Sequence, residues 1–272
     1  MPNTKRLLEK IHEPQLDEDE KNVAYIRGFT SSELVNKVMK DLYKLKKPIG
    51  ITLNKRNVIR PFEDIQPIEF LCQRNECPLF IFTSHSKKRP HNMVMGRVFD
   101  GHILDMVEFG VEKYKEMDDF PARITLGLKP LLVFAGEPFE TEFDMIRIKN
   151  LLTDFFRGPR PSKIRVKGIE HVILITAHDG KIFIRPYMIE QKKLASSDKP
   201  IVTCHDMGPQ LDLIVRRSQL ADNDHYTEAC KQKPKKPKSK KNKNISRDEL
   251  GTTHGKIHIG RQNFDRMYNV KY

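Results

Sequence analysis

The stretch Cys77–Phe99, CPLFIFTSHSKKRPHNMVMGRVF, sets two apolar runs on either side of a turn crowded with cations. Cys77 to Thr83 reads as a buried strand by its unbroken apolar character, and Met93 to Phe99 as a second. In and beside the turn lie His85, Lys87, Lys88, Arg89, His91 and Arg97. Such a segment is a nuclear address, a histidine site or a surface that holds an anion. A localisation signal has no need of two core strands, whereas a rigidly presented basic loop does. The anion-holding surface is therefore the reading carried forward.

Upstream, Thr30-Ser31-Ser32-Glu33 has the form of a capping box, with Thr30 as cap and Glu33 reaching back. Leu34, Val35, Val38, Met39, Leu42 and Leu45 then recur at helical spacing until Pro48. Ile49 to Leu53 and the segment around Val58-Ile59 read as short strands flanking a basic turn that holds Lys55 and Arg56. Downstream, Ile103, Met106, Val107, Gly110, Val111 and Tyr114 predict a second helix capped by Asp100.

Leu128 to Ala135 predicts a buried strand, and a helix follows from about Asp144 with Ile148, Leu151, Leu152, Phe155 and Phe156 on one side. His171–Thr176 and Ile182–Ile189 bracket Asp179-Gly180, a strong hairpin signal. Met207 to Arg217 gives one more strand. Strands and helices intermix, so the class is α/β or α+β. A Thr-x-His echo at Thr83–His85 and Thr176–His178 allows two similar halves.

The chain of 272 residues carries a net charge of +13, and eight lysines with no acid fall between Lys231 and Lys243. The body is mildly basic and the tail strongly so, which points to a folded module with an arm for a polyanion. Lysine alternating with proline has nothing to bury and repels itself, so this tract does not fold alone. The cysteines Cys72, Cys77, Cys204 and Cys230 form no CxxC pair, which favours reduced thiols over zinc. No apolar run reaches the ~18 residues of a membrane span. A soluble, intracellular protein with no membrane partner is expected.

For catalysis, His85, His91 and His178 sit at strand ends, yet no nucleophile, zinc-protease or phosphate-loop motif accompanies them. Asp100, Asp105 and Glu108 are the acids nearest to a two-metal nuclease set. On the predicted helix, Asp105 and Glu108 fall opposite the apolar stripe, where charges are simply solvated. Arg157 and Arg160 meet either phosphate or the preceding helix C-terminus.

Four segments then agree in order with one family: Ser84–Glu112, Lys129–Glu140, Leu151–Pro159 and Met207–Ser218. With them the chain resembles the Brix-domain proteins. The resemblance implies a Brix fold of two related halves, each similar to an anticodon-binding-type domain. It divides the chain into an N-terminal arm at 1–27, a Brix domain at 28–220 with halves of about 28–136 and 137–220, and a basic tail at 221–272. It implies a non-enzymatic assembly factor that binds ribosomal RNA in the nucleolus, with no cofactor and no metal.

Finer matches at Arg60–Asp64 and Gly251–Ile259 imply more about partners. These are 5S rRNA and large-subunit rRNA, the two ribosomal proteins of the 5S ribonucleoprotein, and a heterodimer with the regulator of ribosome synthesis.

RNA contacts are expected first at Lys231, Lys233, Lys235, Lys236, Lys238, Lys240, Lys241 and Lys243. Next come Lys87, Lys88, Arg89 and Arg97, then Arg157 and Arg160, then Lys55 and Arg56. The protein partner is expected on apolar surface in the second half, at Ile182, Ile184, Leu211 and Leu213.

Overall fold

The computed structural model describes residues 21–123, 125, 127–158, 164–192, 201–231, 244–248 and 250–260. Residues to Lys231 belong to one compact unit and those from Gln232 to a second.

The first unit begins with β1 (Val23–Gly28), α1 (Glu33–Lys46), β2 (Ile51–Asn57), α2 (Gln66–Arg74), β3 (Leu79–Ser84), β4 (Asn92–Phe99) and β5 (His102–Lys115). It continues with β6 (Leu131–Ala135), α3 (Pro138–Thr141), α4 (Phe143–Phe156), β7 (His171–His178) and β8 (Lys181–Lys192). β9 (Ile201–Asp206), β10 (Gln210–Leu220) and α5 (Asn223–Ala229) complete it. The strands make one sheet in the order β2-β1-β3-β4-β5-β10-β8-β7-β6, with β9 paired to β8.

That order contains a repeat. β1 runs parallel to β3, and β3, β4 and β5 then pair antiparallel. β6 likewise runs parallel to β7, and β7, β8 and β10 pair antiparallel. The two sets join where β5 meets β10, from Gln210↔Lys115 to Leu220↔Asp105.

One core runs under both sets. Val23, Tyr25, Leu79, Ile81, Val107 and Phe109 turn to the same face as Ile173, Ile175, Ile182, Ile184, Leu211 and Leu213. α1 covers this face with Val35, Val38 and Leu42, and α4 with Ile148, Leu151, Leu152 and Phe155. Among the described residues the opposite face is covered by a helix only in the first half. There Ile68 and Cys72 of α2 pack on Ala24, Ile26, Phe80, Phe82, Val94 and Met106. Each such buried large side chain contributes roughly 1.5–3 kcal/mol.

Several expectations are corrected. Residues 23–27, read as part of an arm, are the innermost stretch of β1, apolar at Val23–Ile26. Ser32, not Thr30, caps α1 by accepting from Val35 N at 3.5 Å, which places Glu33 in the first turn. The predicted helix over Asp100–Tyr114 is the 14-residue strand β5. β5 lies mid-sheet with both faces covered, so it shows no polar and apolar alternation. Its apolar residues meet the i, i+3, i+4 pattern by coincidence. The Leu128–Ala135 run is a short edge strand with alternating exposure rather than a buried one. Lys55 and Arg56 lie within β2, at the other sheet edge, and not in a turn.

Candidate nucleic-acid interface

Because β1, β2 and β3 are mutually parallel in direction, their carboxyl ends open on one rim of the sheet. The rim gathers Phe29–Ser32, Asn57–Val58 and the loop Ser84–His91. Phe29 N donates to Asn57 O at 2.9 Å, and His85 N donates to Thr30 O. Sequence-distant Lys55, Arg56, Lys87 and Lys88 are thereby brought to one end of the molecule. All four are exposed, and no carboxylate among the described residues pairs with them.

The loop is held from several sides. Ser86 N and Arg89 N each donate to the other residue's carbonyl, at 3.1 and 3.2 Å. His91, at φ +48°, donates its backbone N–H to His85 Nδ1 at 3.2 Å. Its own Nδ1 lies 2.9 Å from Ser32 Oγ. Burial, then His85 and Arg216, hold the His91 pKa below the ordinary value of 6.5. At neutral pH it is an uncharged packing group, which suits a structural hinge more than a proton shuttle.

From β10, Arg216 donates to Pro90 O at 2.7 Å and to Asn92 Oδ1 at 3.1 Å. Its guanidinium crosses Gly110 so closely that a Cβ there would sit 2.6 Å from it.

Arg89 is engaged inward. Its Nη1 lies 3.2 Å from Glu108 Oε2, on a side chain that is 0% exposed. Arg217 meets the same carboxylate and stacks 3.7 Å over the Phe62 ring. Arg97 is a plain correction, being 8% exposed and turned into the core. It pairs with Asp105, with Asp154 at 3.0 Å, and with Asn150 Oδ1 at 2.6 Å. Arg147 of α4 lies 3.4 Å from Asp105 Oδ1, with Tyr226 of α5 stacked 3.5 Å from its guanidinium. Arg97 thus neutralises buried acids and is unavailable to phosphate.

Nearby, Lys46 donates to Phe155 O at 2.5 Å. Burial pushes its pKa down to about 8, against a smaller opposing pull from Asp154.

The same facts dispose of the acidic trio. Asp105 and Glu108 are fully buried and salt-bridged, not solvated, and they serve different arginines on opposite faces of β5. Asp100 lies apart in the β4–β5 turn at φ +51°. They form no common site.

Arg157 caps the C-terminal end of α4 and is half-exposed. Lys231 is exposed, 3.9 Å from Glu228. Arg160 and Lys233, Lys235, Lys236, Lys238, Lys240, Lys241 and Lys243 lie outside the described residues. The four expected partner-binding residues, Ile182, Ile184, Leu211 and Leu213, are buried in the shared core. The register of β8 and β10 turns those side chains under α4, so they present no apolar surface to a partner. The same sheet's other face carries half-buried Val172, Leu174, Phe183 and Arg185, the last paired with buried Asp212, with no covering helix among the described residues and with Leu131 and Val133 exposed at its edge.

Sequence reasoning missed Phe29, Arg216, Arg217 and a cleft of about 370 Å³ lined by Arg27, Ser31, Glu33, Asn36, Lys37 and Lys40. The Val23–Ile26 run just before the α1 cap was the available signal. In the second unit, β11 (Ile245–Arg247) pairs antiparallel with β12 (Thr253–Gly255), and exposed Ile257 and Ile259 follow.

The fold is thus a pseudo-repeated α/β sheet with a cationic rim. The family model for the Brix domain matches residues 28–217, and the chain belongs to that family. It is 47% identical over 252 residues to the human protein named Ribosome production factor 2 homolog, covering 92% of this chain and 81% of that one. It is 36% identical over 279 residues to the Saccharomyces cerevisiae protein named Ribosome biogenesis protein RPF2, covering 98% and 80%. Among solved structures, an Aeropyrum pernix protein described as a probable ribosomal biogenesis protein matches at 10% identity with a TM-score of 0.46. That match covers 74% of this chain and 99% of the other.

Proposed function

We propose that this chain is a non-catalytic ribosome assembly factor acting in the nucleolus. It binds ribosomal RNA and helps bring the 5S ribonucleoprotein, 5S rRNA with its two ribosomal proteins, into the large-subunit precursor. Large-subunit rRNA maturation depends on that step. Family membership supports the ribosomal setting, and the rim supports the mode of action. Lys55, Arg56, Lys87 and Lys88 stand exposed, with no carboxylate partner among the described residues, on a framework that fixes their spacing. Such contacts orient a protein on RNA, while discrimination comes from RNA shape. The lysine tract from Lys231 adds sequence-independent attraction.

The heterodimer partner, the regulator of ribosome synthesis, belongs on the uncovered face of β7 and β8. Leu174 and Phe183 there supply apolar area, and Arg185 with Asp212 a polar rim.

The test is competition between 5S rRNA and duplex DNA for the full chain at one fixed salt concentration. Preference for 5S rRNA is expected, because a simple polycation would scarcely separate the two. Lys87→Glu with Lys88→Glu is expected to weaken RNA binding on the order of tenfold near physiological salt, with an unchanged circular dichroism spectrum. Equal affinity for both nucleic acids would sink the proposal.

A further inference from the structure

We propose that Phe29 is a stacking platform for an unpaired RNA base, held on the cationic rim of β1, β2 and β3. This rests on the RNA-binding reading above and names the part of the RNA that the rim takes.

Phe29 is 59% exposed, and Val58 beside it is 81% exposed. An exposed phenylalanine gives up the burial that ordinarily stabilises it, and here the position is fixed. Phe29 N is bonded to Asn57 O, and the next residue's carbonyl accepts from His85 N. Among the described residues no ring and no cation lies over the Phe29 face. Another exposed aromatic, Phe143, already has Arg147 5.6 Å from its ring. The Phe29 ring is available.

Its surroundings select the occupant. Lys55 and Arg56 precede Val58 on β2, and Lys87 and Lys88 follow His85 on the loop. On the other flank Ser31 lines the cleft of about 370 Å³ that also holds Arg27, Lys37 and Lys40 against a single acid, Glu33. A docking helix or strand needs a continuous apolar strip, and here the apolar surface amounts to two side chains among cations. A flat aromatic group carrying phosphates on both sides meets that description, which is a nucleotide in a single strand or loop. A base inside a duplex has no free face, so paired RNA touches the cations and leaves Phe29 unused.

The experiment uses the full chain, a hairpin RNA with an open loop, and a fully paired RNA duplex with the same number of phosphates, at fixed salt. Phe29→Ala and Phe29→Leu are expected to weaken loop binding on the order of tenfold and to leave duplex binding unchanged. Leucine keeps the apolar bulk and removes the π-face. Phe29→Trp is expected to retain loop affinity. The chain has no tryptophan, so this variant's fluorescence reports on the site alone. It should be quenched by the loop RNA and not by the duplex.

Loop binding unaltered by Phe29→Leu, equal losses on both RNAs, or an unquenched tryptophan would each overturn the inference. If the unsubstituted chain binds neither RNA, the RNA-binding reading falls as well. If it binds both and only the Phe29 variants are silent, the stacking site alone is lost.

Discussion

The two halves of the sheet repeat one strand plan and finish it differently. In the first, β1, β3, β4 and β5 carry α1 on one face and α2 on the other. In the second, β6, β7, β8 and β10 carry α4 on the shared face, and no helix among the described residues covers the opposite face. The difference teaches how one repeat can end in two surfaces: exposed cations at the strand ends of the doubly covered half, and half-buried apolar side chains on the open face of the other, where the proposed partner would sit. The halves are not separable units. α4 of the second is tied to β4 and β5 of the first through Arg97, Asp105, Arg147 and Asp154.

The sharpest way to break this arrangement is at that tie. Asp105→Ala leaves Arg97 and Arg147 buried with less than their complement of negative charge, and is expected to cost about 3–5 kcal/mol by urea denaturation. Asp212→Ala, which removes the carboxylate facing the partly exposed Arg185, should cost about 1–2 kcal/mol. Equal losses would mean that the central cluster does not hold the halves together.

Next in size is the contrast between covered and uncovered faces. Phe80→Ala empties the core under α2 and is expected to cost about 3–5 kcal/mol. Leu174→Ala on the uncovered face should cost about 1 kcal/mol in the isolated chain. If the proposed partner covers this face, the same Leu174→Ala should cost more in the complex, which calorimetry would detect. A Leu174 loss as large as that of Phe80 would show the face to be covered already.

The smallest effect concerns pH. His171, buried at the start of β7, has its pKa lowered from 6.5 by burial, with Glu170 acting weakly the other way. The unfolded chain therefore takes up this proton more readily than the folded one. Stability is fully present above about pH 6.5 and is lost as pH falls through the lower folded value. His91 adds to the same trend from the first half. Melting temperatures between neutral and mildly acidic pH should fall, and His171→Asn should flatten that slope. An unchanged slope would exclude His171 as a contributor.

Much of this plan is legible in the residues. Asp179-Gly180 announces the β7–β8 hairpin, both residues taking positive φ, and the apolar runs around Lys87 announce β3 and β4. The Thr-x-His echo points to the two equivalent hairpins but in the wrong register. Thr83 precedes the β3 end by one residue and lies on the shared-core face with Ile81, whereas Thr176 faces away from Ile175 and Ala177. β5 is illegible by periodicity because both faces of its middle are buried and two of its three acids, Asp105 and Glu108, are core residues. Arg97 misleads for the same reason. A cation beside a basic turn looks like surface until Asp105 and Asp154, distant in sequence, are seen to enclose it. Phe29 is hidden because nothing local marks a phenylalanine as exposed.

Gly110 carries one last implication. It sits in the central seam and has no side chain, and Arg216 reaches Pro90 by crossing the space it leaves empty. A larger residue there must push aside the guanidinium, the movable end of a long side chain, and so loosen one of the bonds that hold the basic loop from behind. A position can thus shape a loop on a distant strand through what it lacks.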